Sequence, residues 1–313
     1  MVTLIGTEEI SPIEKYPVVA IGNFDGIHLG HQAILAKTIQ HAKENNGTSV
    51  VLTFRPHPSQ ILAPEKPTLL LTPFEDKIRL LESFGIDIVL LVEFNKEFSH
   101  QTPSEFAQDL LHEKIGCKEV IVGSKFAFGK SRSGTVADIS RLGQKFGFTV
   151  FVQENFTLNE AIVSSSRIRT LIQEGNINLA SKMLSRPYTL SGEVVPSEGR
   201  GKKMGFPTAN VNLAGKLVPK EGIYATRVVI SNDPTTLRNG IAYIGSKPTF
   251  RKQGTSQIEV HLFDFNKNIY GKKIEVSILE WIRADEKFDS SDALIKQMRQ
   301  DIKKARSILS LLG

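Results

Sequence analysis

The chain of 313 residues has a single cysteine, Cys117, and a single tryptophan, Trp281. One thiol excludes an intramolecular disulfide framework and any zinc site built on several thiolates. Long apolar runs are missing too. Ile86–Val92 is typical of the longest, and Asp87 interrupts it, far short of the roughly 20 residues a bilayer-spanning helix needs. The opening Met-Val-Thr-Leu-Ile-Gly has neither the basic start nor the apolar stretch of a secretory leader. No internal repeat or low-complexity segment is present. Hydrophobic residues make up 40% and charged residues 23%, a globular mix that excludes disorder and fibrous repeats. These absences lead to the expectation of a soluble cytoplasmic protein with two domains and no membrane partner.

Charge is unevenly spread. The net is +6, from 39 Lys and Arg against 33 Asp and Glu. Residues 1–185 hold 18 basic and 20 acidic side chains, and residues 186–313 hold the other 21 and 13. A second half at +8 points to an anionic partner, either a phosphate-bearing small molecule or nucleic acid; a solvated basic face has the same composition.

The first half alternates strand-like and helix-like segments. Val18–Ile21 is a short apolar run before a Gly-rich turn, and Leu35, Ile39 and Ala42 then share a helix face. Ser49–Phe54 and Ile86–Phe94 read as strands, with Phe74, Ile78 and Leu81 at helical spacing between them. Thr102-Pro103-Ser104-Glu105 carries a cap, a Pro at the first helical position and a Glu three after the cap, a helix start. Strands at Lys118–Val122 and Thr149–Val152 flank a helix from about Val136. This alternation predicts a parallel sheet with helices on both faces, whose ligands bind beyond the carboxyl ends of the strands.

The pattern changes near Ser185-Arg186-Pro187. Short alternating runs follow at Leu190–Val195, Ile223–Ile230, Ile241–Ile244, Ile258–Phe265 and Ile274–Leu279, which predicts an antiparallel barrel or sandwich. From about Ser291, Leu294, Met298 and Ile302 return to helical spacing. The domains are expected at 1–185 and 186–313.

Chemistry concentrates in a few segments. Gly22-Asn23-Phe24-Asp25-Gly26-Ile27-His28-Leu29-Gly30-His31 joins the first strand to the first helix. Its glycines admit close approach by a ligand, and the helix start offers free N–H groups and a positive dipole end. His28 and His31 are placed to stabilise charge on a transferred phosphoryl group; as ordinary capping histidines they would have the same spacing. Gly123–Ser131 imitates a phosphate loop but has five residues between Gly123 and Gly129 instead of four, and loop-like residues follow, so it is rejected. In the second half, Arg200–Asn210 is a basic loop leading into a polar turn, where Thr208 and Asn210 offer oxygen ligands suited to Mg²⁺. Ile258, Val260 and Leu262 share one face of a strand and Glu259 with His261 the other, which makes Glu259 a candidate general base.

These segments carry a resemblance. Gly22–His31 resembles the signature of nucleotidylyltransferases with a two-histidine motif, and in its longer form that of the bacterial FAD synthetase module. Thr53-Phe54-Arg55-Pro56-His57-Pro58 and Val163-Ser164-Ser165-Ser166-Arg167-Ile168-Arg169 are similar to further motifs of that module, with Ser166 where Thr is usual. Gly205-Phe206-Pro207-Thr208-Ala209-Asn210, Gly245–Phe250, Glu259–Phe265, Tyr270-Gly271 and Arg283–Phe288 resemble bacterial riboflavin kinase in the same order, with Tyr243 where Asn is frequent. The whole chain thus resembles the bifunctional riboflavin kinase/FMN adenylyltransferase family. The resemblance implies a Rossmann-like adenylyltransferase domain followed by a kinase barrel with a terminal helix. It implies riboflavin, FMN and ATP as small-molecule substrates, FAD as product, Mg²⁺ as cofactor and no nucleic-acid partner. For the first domain it implies His28 and His31 as catalytic, Gly22, Asn23, Phe24, Asp25, Gly30, Ser164, Ser165, Arg167 and Arg169 as ATP-binding, and Pro56, His57, Pro58 and Lys125 as flavin-binding. For the second it implies Glu259 as catalytic, Gly201, Lys203, Gly205, Thr208 and Asn210 as ATP-binding, and Thr208 with Asn210 as metal ligands. Lys125 stands where the family has Asp or Asn, so a kinase with a disabled first domain is an alternative; a flavin-responsive RNA-binding protein is another.

Overall fold

A computed structural model describes residues 1–6, 11–197, 201, 204–231, 233–245 and 255–312. Lys203, Lys202, Arg200 and the Ser246–Phe250 part of the second kinase-like motif lie outside the described residues. The chain divides into two compact units, Met1–Ser165 and Ser166–Gly313.

The first unit is built on six strands: β1 (Val2–Ile5), β2 (Pro17–Ile21), β3 (Thr48–Arg55), β4 (Ile88–Glu93), β5 (Glu119–Gly123) and β6 (Thr149–Gln153). They form one all-parallel sheet in the order β1-β4-β3-β2-β5-β6. Parallel strands covered on both faces read as continuous apolar runs, and all five residues of β2 are buried. The two-residue period sorts them. Val19 and Ile21 join Val50, Leu52, Val120 and Val122 in one core, while Val18 and Ala20 join Val51 and Ile121 in the other. Helices α1 (Leu29–Glu44) and α3 (Phe74–Ser83) cover the second core through Leu35, Ala42 and Leu81. The first core is covered by α5 (Val136–Phe146) and by a helix that starts as α4 (Pro103–Glu105) and continues π-helically over Phe106–Lys114. The start expected at Thr102 is present, with the hydroxyl accepting from the Glu105 N–H and the Glu105 carboxylate reaching back. A short helix α2 (Pro58–Leu62) follows β3. From β2 the chain moves outward to β3 and β4, then returns to β5 on the other side. That reversal opens a crevice at the carboxyl ends of β2 and β5.

The second unit begins with helices α6 (Ser165–Glu174, of which Ser165 belongs to the first unit) and α7 (Ile177–Leu184). Then β9 (Tyr188–Val195), β10 (Ala209–Ala214), β11 (Gly222–Ile230), β12 (Asp233–Ile244), β13 (Thr255–Leu262) and β14 (Lys273–Arg283) close an antiparallel barrel in the order β10-β13-β12-β11-β14-β9. (A two-residue hairpin, β7 at Thr157–Leu158 and β8 at Ala161–Ile162, completes the first unit.) Closure leaves no free sheet edge. Val211, Tyr224, Ala242, Val260 and Val276 are fully buried inside. Helix α8 (Ser291–Leu311) packs Ala305 and Leu309 on the outer face against Ile223, Ala225, Ile241 and Ile282.

Two expectations need correction. The strand expected over Ile258–Phe265 ends at Leu262, because the chain turns at Asp264, whose φ is +54°. Ala209 and Asn210, read as part of a polar turn, instead open β10; partners on both sides override the local turn signal.

One buried ion pair ties α8 to the barrel. Arg283 donates to the Asp301 carboxylate through Nε at 3.0 and 3.1 Å and through Nη2 at 2.8 Å, and Gln297 donates to it at 2.9 Å. Asp301 is 3% exposed. Removing one partner of such a pair strands the other, at a cost of about 3–5 kcal/mol. Asp301→Ala is therefore expected to lower the thermal unfolding midpoint of the barrel unit, measured by near-UV circular dichroism at Trp281.

Candidate active sites

The loop from Gly22 to His28 leaves β2 at the crevice and enters α1. Phe24, Gly26 and Ile27 take φ of +47°, +93° and +38°, conformations that side chains other than glycine adopt at a cost. Groups around the loop hold it there. Lys77 Nζ on α3 donates to the Asn23 carbonyl at 2.7 Å, and Thr53 Oγ1 on β3 donates to the same oxygen at 3.3 Å. Ser165 Oγ donates to the Asp25 carbonyl at 2.8 Å. The buried Asp25 carboxylate in turn accepts from the N–H groups of Leu71 at 3.1 Å and Thr72 at 2.9 Å.

The loop ends by delivering two imidazoles. His28 caps α1, its Nδ1 accepting from the His31 N–H at 3.3 Å. That bond leaves Nε2 as the N–H donor of neutral His28. The two rings stack with centroids 3.7 Å apart at 16°, and Phe24 meets His31 edge-on at 5.3 Å. A methyl at Gly30 would stand 3.2 Å from the His28 ring, so glycine there leaves room for the stack. No acidic residue lies in the first turn of α1, which leaves the positive dipole end uncompensated by its own helix. His31 is partly exposed as a residue, but its Nδ1 is buried and has no hydrogen-bond partner among the described residues. Burial, then the neighbouring His28 and Lys77, push its pKa well below the usual 6.5. Lys77, 6% exposed, is lowered to about 8 by burial, opposed by the Asp25 charge.

The other residues expected in the first domain are placed as follows. Pro56 and Pro58 flank His57, which caps α2 with Nδ1 accepting from the Ser59 N–H at 3.2 Å and 2.8 Å from the Ser59 hydroxyl. Lys125 lies exposed in the turn after β5, at the crevice end of that strand. Ser164 immediately precedes α6, and Arg167 and Arg169 lie on α6 in the second unit.

On the barrel, register builds a second cluster. Asn210 pairs with Glu259 across β10 and β13, and Glu259 pairs with Tyr243 across β13 and β12. Directly opposed residues in antiparallel strands point to the same face. Tyr243 packs with the α8 cluster, so this row lies on the outside of the barrel, where the alternation predicted Glu259. Thr208 stands two residues before Asn210, on the approach to β10. His261 Nδ1 donates to the Pro207 carbonyl at 2.8 Å, which ties the approach to β13. The Gly201 carbonyl accepts from the N–H groups of Met204 at 3.1 Å and Phe206 at 2.8 Å, and a Cβ at Gly201 would meet the Phe206 oxygen at 2.4 Å. Gly205 takes φ +85° in the same turn. The Tyr243 hydroxyl donates to Asp285 at 2.8 Å; burial and then that carboxylate push its pKa up, so it stays a donor.

With both clusters in place, the comparisons with known proteins are decisive. Residues 11–167 match the family model described as FAD synthetase, and residues 184–309 match that described as riboflavin kinase. The chain belongs to the bifunctional riboflavin kinase/FMN adenylyltransferase family. A relative of that name from Bacillus subtilis (strain 168) is 38% identical over 293 residues, covering 92% of this chain and 91% of the relative. One from Buchnera aphidicola subsp. Schizaphis graminum is 34% identical over 309 residues, 98% of each chain, and one from Escherichia coli (strain K12) is 35% identical over 295 residues, 94% and 93%. A solved Streptococcus pneumoniae structure described as a macrolide-efflux protein aligns with a TM-score of 0.87 at 30% identity, covering 98% of this chain and 99% of that one. Among the described residues no helix is long and apolar enough to cross a membrane.

Motif reading missed two members of these clusters. Lys77 falls three residues after Phe74 and four before Leu81, on the face of α3 that the apolar spacing sends inward, and a lysine on such a face is the signal. Tyr243 stood out only as a departure from the family pattern; the register that sets it opposite Glu259 is long-range.

The neutral His31 has a consequence for stability. Below pH 6.5 the unfolded chain binds a proton there that the folded chain refuses. Stability contributed at this site is therefore present above 6.5 and lost on acidification, by at most about 1.4 kcal/mol per pH unit. His31→Asn is expected to flatten the fall in unfolding midpoint between about pH 6.5 and 5.5; thermal melts at equal slope in both proteins would contradict this.

Proposed function

We propose that this chain makes flavin cofactors in two steps, phosphorylating riboflavin to FMN on the barrel and adenylylating FMN to FAD at the sheet crevice. What supports this is the match of both family models along one chain, each with its motif at a cluster that the fold independently assembles. The catalytic modules are assigned to residues 1–185 and 186–313. Riboflavin, FMN and ATP are the substrates, and the positive charge of the second module serves anionic ATP rather than nucleic acid. The reaction is assigned to the cytoplasm, where ATP is supplied.

In the kinase step Glu259 takes the proton of the ribityl 5′-hydroxyl as that oxygen attacks the γ-phosphorus of ATP, and ADP leaves. Gly201, Lys203 and Gly205 belong to the loop assigned to ATP. The Thr208 hydroxyl and the Asn210 amide oxygen, beside the Glu259 carboxylate, are hard oxygen donors and fit Mg²⁺. Bound there, Mg²⁺ supplies charge neutralisation for the phosphates.

In the adenylyl step an FMN phosphate oxygen attacks the α-phosphorus of a second ATP and pyrophosphate leaves. The His28 Nε2–H and His31 face the charge that develops at that phosphorus. Backbone from Gly22 to Asp25 and Gly30 form the wall for the nucleotide, Ser164, Ser165, Arg167 and Arg169 hold its phosphates, and Pro56, His57, Pro58 and Lys125 border the flavin. No covalent intermediate is required.

The test is a chromatographic time course with ATP and Mg²⁺, started from riboflavin and, separately, from FMN. Wild-type protein should give FMN and then FAD; absence of FAD from FMN would leave a kinase alone. Glu259→Ala should reduce FMN formation by about 10²-fold or more and spare conversion of FMN to FAD. His28→Ala should do the reverse, by about 10²–10³-fold. Chelation of divalent cations should stop FMN formation, and magnesium added back should restore it.

A further inference from the structure

Lys77 touches the histidine-bearing loop from within the core of the first unit, and it lies outside the motifs of either module. It sits on the inward face of α3 at 6% exposure, and its only hydrogen bond among the described residues is the 2.7 Å one to the Asn23 carbonyl. An ammonium buried with a single acceptor is costly unless the fold uses its charge or its reach. A buried methionine or leucine would fill the same space without that cost.

We propose that Lys77 is a positioning residue for FMN adenylylation: its ammonium fixes the Asn23 carbonyl, and with it the Gly22–His28 loop, and sets a positive charge beside the stacked imidazoles. The inference rests on the adenylyltransferase reading of this site. The bond to Asn23 anchors the residue just before Phe24, where the backbone first enters the left-handed region. Displacing that carbonyl would shift the helix cap, and His28 with it. The charge acts on the second imidazole. The groups that bear on His31 are His28 from the cap of α1 and Lys77 from α3, while Asp25 from the loop acts on Lys77 in turn. Lys77 thereby disfavours protonation of His31, which leaves the stacked pair free of mutual repulsion until an anionic nucleotide arrives to favour the charged ring.

Three variants separate reach from charge. Lys77→Gln keeps a donor for the Asn23 carbonyl without the charge, Lys77→Arg keeps the charge on a different stem, and Lys77→Met removes both. FAD formation from FMN, riboflavin phosphorylation and the His31 imidazole titration by NMR are measured on each full-length protein. We expect Lys77→Met to lower kcat/KM for FAD formation about 10- to 100-fold with riboflavin phosphorylation unchanged. Lys77→Arg should recover part of the loss, and the His31 titration should move to higher pH in the Met and Gln variants. FAD formation within twofold of wild type in both the Met and Gln variants would overturn the proposal. So would a loss of FAD formation with no movement of the His31 titration, which marks Lys77 as a packing residue only. If Lys77→Met fails to fold, the Gln and Arg variants decide by the same two readouts. A wild-type protein that makes no FAD would instead overturn the adenylyltransferase reading on which this one stands.

Discussion

The first unit depends on how a seven-residue loop is held in a backbone conformation it would not keep by itself. Phe24 and Ile27 sit at positive φ, each costing of the order of 1–2 kcal/mol. The compensation comes from elsewhere in the chain: an ammonium on α3, a hydroxyl on β3, a hydroxyl at the start of α6 and two backbone N–H groups before α3. Each of these partners is 30 to 140 residues distant in sequence. The strain is thus tolerated only when the sheet has formed in its reversed order. The stack of His28 on His31 stands at the end of that loop.

The second unit reaches its site by a different route. Nothing there needs a strained loop to bring Asn210 to Glu259, because antiparallel register does it directly and closure of the barrel fixes the register. The same period that buries Ile258, Val260 and Leu262 puts Glu259 and His261 outside. The outer face is then divided. Helix α8 covers the part around Ile223, Ala225 and Ile241, and the row from Asn210 to Tyr243 lies beside it. The Arg283–Asp301 pair holds the helix to that boundary, and Tyr243 spans it by packing on the helix cluster while bonding Asp285. A loop pinned over a parallel sheet and a row across a barrel are two physical ways of holding polar groups still.

Much of this was legible in the sequence because the signals are local. Apolar runs with helical segments between them gave the parallel sheet, since strands buried on both faces must be continuous in Val and Ile. Alternation at residues 258–262 gave the orientation of Glu259, and Thr102-Pro103-Ser104-Glu105 gave a helix start that the hydrogen bonds reproduce. His28 and His31 marked a nucleotide loop because their segment lies between a strand and a helix, and motifs along both halves marked the family. The two- to four-residue strands β1, β7 and β8 have too few side chains to show a period. The strand at Ala209–Ala214 was masked by its own turn-forming residues and exists because β9 and β13 flank it.

Composition, periodicity and motif spacing by themselves determined that this is a two-part chain, an α/β sheet followed by an antiparallel barrel or sandwich with a terminal helix, carrying candidate phosphate chemistry on both. Those are properties of neighbours in sequence, and neighbours in sequence obey fixed periods of 2 and 3.6 residues. Only the tertiary structure decided that Asn210 lies opposite Glu259, that Tyr243 completes their row, and that a lysine from α3 grips the loop before His28. Those depend on pairings between distant segments, which cooperative packing selects and no local period encodes.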